Sequence, residues 1–227
     1  MALAPRLGES GAQGVLLLVS PFTATAASPS RLMNYVLLLT QLEEAGLAII
    51  ASRQPAFGLG CMAFGIAGFD SGVATAERFD YAGLTRSKKA GSSSQKRPAR
   101  KRRIYLDQLL TSVPYPIAEK ILSTSGLAGS FVCREPCCRD GVNGALLRSR
   151  DHFIYTRLRE IEDLRSRPQE WRAENFRQKL EASRQMGLKV AHALPEAPLD
   201  GFRHLAVWLR VFTELQARMP QQALAGV

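Results

Sequence analysis

The sequence predicts an α/β fold, because its first third alternates short apolar runs with helical stretches. Three such runs have the length and composition of buried strands, and they lie at residues 15–19, 47–51 and 69–73. Helices are predicted between them, over residues 31–45, with Ser30 as the capping residue, and from about residue 55 to 67. Strands and helices that alternate through short connections are typical of parallel β/α units.

The composition changes after this first third of the chain. Residues 87–103 are rich in Ser, Gly, Lys and Arg, which predicts a flexible linker. The stretch 104–127 is predicted to be helical in pieces that Pro114 and Pro116 interrupt. Three longer helices follow in the prediction, at about residues 151–164, 168–186 and 199–219.

Three cysteines stand within six residues, and a histidine follows at the head of a predicted helix. They are Cys133, Cys137, Cys138 and His152, with the spacing C-x3-C-C-x13-H. Three thiolates and one imidazole make a complete tetrahedral ligand set for structural zinc. The alternative is a local disulfide or free thiols on a loop, with His152 as an ordinary helix-start residue.

The positive charge of the chain is concentrated in one segment. The chain carries +10 overall, and nine Lys or Arg without any acid lie between residues 86 and 103, which leaves the remainder at +1. These nine are Arg86, Lys88, Lys89, Lys96, Arg97, Arg100, Lys101, Arg102 and Arg103. A local basic run favours contact with the phosphates of RNA or DNA, and the alternative is a solvated linker that happens to be basic.

The cysteine content and the pattern of apolar residues indicate the cellular compartment of the protein. Four cysteines in 227 residues do not make a disulfide framework, so a reduced, metal-bound cluster in the cytoplasm is predicted. Pro21 and Glu9 interrupt the apolar N-terminal run, which argues against a secretion signal. No run approaches the ~18 apolar residues of a membrane span, so no membrane association is expected.

Asp70 is the candidate for catalysis. It lies within the predicted third strand, between Gly68 and Gly72, and functional groups of parallel β/α sheets sit at the carboxyl ends of strands. A carboxylate in that place can act as a nucleophile or a general base. An Asp near a strand end is also a common cap or turn residue.

Residues 15–164 resemble the last units of the tRNA-guanine transglycosylase barrel. The family has a strand, a Pro-opened helix and then a Gly-led strand with a Phe-Asp pair, as in Gly68-Phe69-Asp70 here, followed by three cysteines and a helix-leading histidine. The family's cysteine spacing is C-x-C-x2-C, whereas this chain has C-x3-C-C, and the family's Pro-Thr-Arg after the Phe-Asp segment is missing. The earlier strands of the barrel have no counterpart here.

The resemblance implies a fold and an activity. The fold would be a partial (β/α) TIM-type barrel, followed by a zinc-binding segment and a helical C-terminal region. The activity would be base exchange in tRNA or DNA, with Asp70 attacking the sugar carbon and a deazaguanine-type base then displacing the enzyme. The zinc would be structural, and a separate subunit could supply the rest of the barrel.

The predicted organisation has four parts. Residues 1–80 hold the β/α units, residues 81–104 the basic linker, residues 105–164 the zinc segment with its helix, and residues 165–227 the helical region. Two other functions are compatible with these parts. One is a non-catalytic, zinc-containing module that binds nucleic acid or a partner, and the other is a structural domain without a ligand.

Overall fold

Three short strands near the N-terminus form a parallel sheet. The computed structural model describes residues 6–7, 9–20, 22–54, 57–70, 102–197 and 202–218. The strands are β1 (Gly14–Leu17), β2 (Ala48–Ala51) and β3 (Gly68–Phe69), and their order in the sheet follows the chain. They are connected by the helices α1 (Pro29–Glu44) and α2 (Gly58–Ala63). The predicted parallel β/α arrangement is confirmed, while residues 71–73 of the third predicted strand lie outside the described residues.

Helix α1 begins two residues earlier than predicted. Its N-cap is Ser28, whose hydroxyl accepts a hydrogen bond from the Arg31 backbone amide at 3.4 Å. Pro29 follows as the first helical residue, where its missing N–H and its fixed φ suit the first turn. The expectation that Ser30 caps the helix is therefore wrong, because Ser30 already lies inside the first turn.

One face of the parallel sheet is buried and the other is open. Ile49 and Ala51 of β2 are fully buried in a core to which α1 and α2 contribute. On the opposite face, Leu16 is 57% exposed, Leu18 38% and Ile50 45%. The prediction that these strands are buried is therefore correct for one face only, because the described helices pack on that face. The described strands also form no closed sheet.

An antiparallel hairpin occupies the first part of the stretch 104–127, which was predicted to be helical in pieces. Strand β4 (Arg103–Leu106) pairs with β5 (Thr111–Pro114), and a short 3₁₀ helix connects them. Leu110 has a left-handed backbone with φ of 48°, which reverses the chain into β5. Pro114 and Tyr115 then lead into helix α3 (Tyr115–Ser123), whose second residue is a proline. The prediction was therefore correct only for the last part of this stretch.

Helices make up the rest of the described chain. They are α4 (Ala128–Phe131), α5 (Gly141–Leu147), α6 (Ser149–Arg165), α7 (Gln169–Ala193) and α8 (Arg203–Arg218), and a 3₁₀ turn covers Pro136–Cys138. The three predicted C-terminal helices correspond to α6, α7 and α8, and α7 extends past its predicted end at residue 186. None of the described helices is both long enough and apolar enough to span a membrane.

The last helix packs back onto the N-terminal β/α units. Trp208 of α8 is fully buried, donates its indole N–H to the Ala24 carbonyl at 3.0 Å, and stacks edge-on against Phe57 at 4.9 Å. Phe212 of the same helix contacts Phe64 at 4.4 Å. These contacts join both ends of the described chain in one hydrophobic core, so the orientation of α1 and α2 depends on α8.

Candidate metal centre

The predicted cysteines and histidine converge on one point. The Sγ atoms of Cys133, Cys137 and Cys138 lie 3.2–3.8 Å from one another, and His152 Nδ1 lies 3.2–3.9 Å from all three. Among the described residues, these four ligand atoms form a group with the dimensions of a metal site. The structure therefore brings together all four residues that the sequence spacing singled out.

The distances fit a tetrahedral cation better than a disulfide. Zinc–sulfur bonds of about 2.3 Å and a zinc–nitrogen bond of about 2.0 Å give tetrahedral S···S edges of about 3.8 Å and S···N edges of about 3.5 Å. The S···S separations of 3.2–3.8 Å are close to these edges and far above the ~2.05 Å of a disulfide. All three thiols are free, and the four donors leave no open position for a catalytic water, so the set fits a structural site.

The four ligands are largely shielded from solvent, which sets their protonation. Cys137, Cys138 and His152 are buried, and Cys133 is half-buried. Burial and the adjacent thiols raise the pKa of Cys138 to about 11 and raise that of Cys137 further. Burial lowers the pKa of His152, which keeps its imidazole in the neutral, metal-binding form. A dication would supply the positive field that deprotonates the clustered thiols.

Local structure holds the cysteine turn against the histidine helix. Cys138 donates its amide N–H to the Glu135 carbonyl at 2.9 Å, which closes the 3₁₀ turn. A Cβ at Gly144 of α5 would lie 2.6 Å from the Cys137 carbonyl oxygen, so only glycine allows α5 to approach this closely. Arg148 donates to the Pro136 carbonyl at 3.1 Å and pairs with Asp140 at 2.5 Å. Sequence reasoning missed Gly144, because nothing in the spacing indicates such an approach.

The two described residues of the basic run form hydrogen bonds within the protein. Arg102 donates to the Leu147 carbonyl at 2.7 Å and to the Leu146 carbonyl, which are C-terminal carbonyl groups of α5, and to the Ser149 hydroxyl at 3.2 Å. Arg103 donates to the Ser112 carbonyl within the hairpin. A guanidinium at a helix C-terminus satisfies carbonyls that have no partner inside the helix. Both arginines thus have structural partners.

The other seven basic residues lie outside the described residues. They are Arg86, Lys88, Lys89, Lys96, Arg97, Arg100 and Lys101. Their role in phosphate contact therefore stays a prediction.

Asp70 directly follows β3 at the carboxyl edge of the parallel sheet, whereas the sequence placed it inside a strand over residues 69–73. Its amide N–H donates to the Ala51 carbonyl at 3.1 Å, and its own carbonyl accepts from the Gln54 amide at 3.1 Å. Its carboxylate Oδ1 accepts from the backbone amide of Arg53, a residue with φ of 55°. The carboxylate is exposed, and its Oδ2 has no hydrogen bond to another described residue. Asp70 therefore already stabilises the turn after β2 through one of its two carboxylate oxygens.

The strand that precedes Asp70 touches the helix that carries His152. The Phe69 ring lies 5.8 Å from the guanidinium of Arg157, which sits five residues after the histidine. That guanidinium also lies over the ring of Tyr105 at 4.4 Å. A Cβ at Gly58 would lie 2.2 Å from the Phe69 ring, so α2 needs glycine at its first residue. Packing through Arg157 thus links the two features on which the family resemblance depends.

A buried ion network fixes α6 beside the metal centre. Glu160, with a side chain 2% exposed, accepts from Arg157 at 2.9 Å, from Lys179 at 2.6 Å and from the Tyr105 hydroxyl at 3.0 Å. Asp107 pairs with Arg159 at 3.1 Å on the same side of the helix. Sequence reasoning missed this network, although the i, i+3 spacing of Arg157 and Glu160 signals a helical ion pair.

Comparisons with protein-family models, with curated proteins and with solved structures found no match. The resemblance to the transglycosylase family thus depends on the residues named above.

Proposed function

We propose that this chain is one part of a nucleic-acid base-exchange enzyme of the transglycosylase type, and that a second subunit supplies further β/α strands. The observation that carries this proposal is the sheet itself. Its three parallel strands run in chain order, its helices lie on one face, and Asp70 stands at its carboxyl edge. Parallel strands wound in one direction are the building units of β/α barrels, whose chemistry lies at that edge.

The open face of the sheet supports the need for more strands. Leu16 and Ile50 are register partners, and Ile50 is in turn the partner of Gly68, so they form one row across the sheet. A Cβ at Gly68 would meet no atom within 4 Å, which fits an uncovered surface. Parallel sheets are ordinarily covered on both faces. Additional strands from a partner would turn this row into the interior of a closed or more complete sheet.

Asp70 would act as the nucleophile in two displacement steps. In the first, a carboxylate oxygen attacks the sugar carbon, the glycosidic bond breaks, and the departing base leaves with the bonding electrons and takes up a proton from solvent. In the second, a ring nitrogen of the incoming deazaguanine-type base attacks the same carbon, the bond from that carbon to the carboxylate oxygen breaks, and the nitrogen gives up its proton to solvent. Covalent catalysis divides one difficult substitution into two easier ones. The Arg53 amide would keep the carboxylate oriented throughout.

The metal centre and the basic run would serve nucleic-acid binding. Zinc, held by the three cysteines and His152, would fix the cysteine turn to α6 and would take no part in the displacement. The basic residues from Arg86 to Lys101 would contact the phosphates of tRNA or DNA. A reducing compartment such as the cytoplasm would keep the cysteines available as thiolates.

The test is incorporation of labelled guanine or 7-deazaguanine into tRNA and into duplex DNA. The protein is isolated with its co-purifying partners, and Asp70→Asn is compared with Glu44→Gln, an exposed acid at the end of α1. Asn keeps an oxygen for the Arg53 amide, so the circular dichroism spectrum should not change while incorporation and the gel-resolved covalent adduct are lost. Normal exchange by Asp70→Asn would exclude it as the nucleophile.

A second candidate is a non-catalytic, zinc-containing module that binds nucleic acid or a partner. The contact between Asp70 and the Arg53 amide favours it, because stabilising that turn is by itself a sufficient role for the carboxylate. Absence of exchange on both nucleic acids would support this candidate over the first. Nucleic-acid binding should then weaken steeply with salt, and replacing Lys88, Lys89, Lys96 and Arg97 by Ala should flatten the salt dependence. An unchanged slope would support the solvated-linker alternative.

A further inference from the structure

The outward face of α6 carries an apolar stripe that no described residue covers. Ile154 is 42% exposed, Tyr155 39% and Leu158 51%, and Leu147 at the end of α5 is 72% exposed. Leu158 lies four residues after Ile154 and three after Tyr155, so these three residues share one side of α6, and Leu147 lies just before the start of that helix. Contiguous exposed apolar residues of this kind mark interaction surfaces more often than isolated ones do.

Charges at the two ends of the stripe make it self-complementary. Arg150, Ile154, Leu158 and Glu162 are spaced by four residues each and form one ridge with a positive start, an apolar middle and a negative end. Arg150 and Glu162 are both exposed, and neither forms an ion pair with another residue in the described part of the chain. If a second copy of the ridge is laid antiparallel against the first, each charged end faces an end of opposite charge.

We propose that α6 is a homodimer interface, in which two copies pack this stripe antiparallel about a two-fold axis. The axis would pass between Ile154 and Leu158. Each Leu158 would then lie against the partner's Ile154, and each Arg150 would face the partner's Glu162. A two-fold interface uses the same patch on both copies, which a ridge with this palindromic order satisfies.

The opposite side of α6 keeps the stripe rigid. His152 belongs to the metal centre, and Arg157 and Glu160 belong to the buried ion network, so the helix is fixed on that side. A surface on a fixed helix loses little conformational entropy on association. This inference does not depend on the proposed base exchange, because it uses only the outward face of the helix.

A second copy fits this stripe better than nucleic acid does. The middle of the stripe is apolar and its ends cancel in charge, whereas phosphate contacts require an excess of Lys and Arg. One helix pair covers less than the roughly 800 Å² per partner of a standard interface. We therefore expect a reversible dimer with a micromolar dissociation constant.

The test is a charge exchange followed by analytical ultracentrifugation of the zinc-loaded full chain. Wild type should shift with concentration from the 24.9 kDa monomer to twice that mass. Arg150→Glu alone and Glu162→Arg alone should each weaken the dimer at least about tenfold, because each places like charges opposite one another twice. An equimolar mixture of the two variants should form a heterodimer, since every facing pair is then of opposite sign, and the double exchange should restore the homodimer.

Control variants separate this interface from a general surface effect. Leu158→Glu should abolish the dimer, whereas Leu188→Glu, at a residue 51% exposed on α7, should leave it unchanged. Zinc content and circular dichroism of every variant establish that the fold is retained. A wild-type chain that stays monomeric at high micromolar concentration would overturn the proposal. So would single charge variants that dimerise as well as wild type, or a mixture that does not associate.

Discussion

Removal of one metal ligand should release both the zinc and a large part of the stability of the fold. Cys138→Ser is the sharpest change, because this sulfur lies 3.2 Å from both Cys133 Sγ and His152 Nδ1 and its residue is 5% exposed. A serine hydroxyl stays protonated and binds zinc poorly, so three ligands would remain. Wild type should contain one zinc per chain, and Cys138→Ser should contain little.

The expected fall in Tm follows from the linkage between zinc binding and folding. A complete tetrahedral set of this type binds structural zinc with an apparent free energy of about 10–16 kcal/mol in small zinc domains. A metal that binds only the folded state at 1,000 times its dissociation constant stabilises that state by about 4 kcal/mol. For a domain of this size, that corresponds to a fall of about 8–16 °C in Tm on chelation. The fall arises because α5, α6 and the cysteine turn lose their common anchor.

The measurement combines elemental analysis with thermal unfolding, each with and without EDTA. Cys61→Ala is the matched control, since Cys61 is also a buried free thiol but lies outside the cluster. It should keep its zinc and its EDTA-dependent fall in Tm, and Cys138→Ser should lose both. Full zinc retention in the Cys137→Ser, Cys138→Ser double variant would exclude this site, and so would a Tm of zinc-loaded wild type that does not change with EDTA.

Three further predictions concern stability. Glu160→Gln should lower the free energy of unfolding by about 3–5 kcal/mol, because it removes a buried carboxylate that contacts both Arg157 and Lys179. Glu174→Gln, at a half-exposed ion pair, should cost less than about 1 kcal/mol in the same urea titration. Equal losses would contradict the role of the buried network. Burial lowers the pKa of His204 to about 4, so the unfolded chain binds a proton that the folded chain does not, and stability should decline by about 3 kcal/mol as the pH falls from about 6.5 to 4. His204→Gln should lack that part of the decline, and an unaltered pH profile would refute the assignment. Arg102→Ala should lower the free energy of unfolding by about 1–2 kcal/mol through its lost hydrogen bonds to α5 and should leave the salt dependence of nucleic-acid binding unchanged; a flatter salt dependence would instead assign Arg102 to phosphate contact.

The local sequence was sufficient to predict those features that depend on one type of residue. The clustered cysteines predicted the metal-ligand set without structural information, because three of the four cysteines lie within six residues. The apolar runs predicted β1 and β2, because a run of that length is too short for a helix. Ser28-Pro29 also held the correct start of α1, but the prediction chose Ser30 and overlooked the preference of proline for the first helical position.

Other features depended on contacts between distant residues. The strands β4 and β5 have four residues each, too few for a periodicity to appear, and the pairing of Ile104 with Val113 is what makes them strands. Arg102 is part of a basic run in the sequence, but its partners at residues 146–149 give it a structural role. Neither the strand pairing nor the partners of Arg102 could be predicted, because the residues involved are far apart in the sequence.

The sequence by itself determined which residues can bind a metal and how strands and helices alternate along the chain, because those properties are local. The tertiary structure decided which surfaces are covered. Leu16 and Ile49 are equally apolar, yet Ile49 is fully buried and Leu16 is 57% exposed, since only the packing of α1, α2 and α8 determines which face of the sheet meets the core. The same holds for α6, where His152 points into the protein and Ile154 out of it. Burial is a property of the assembled chain, so only the fold could reveal the two open apolar faces.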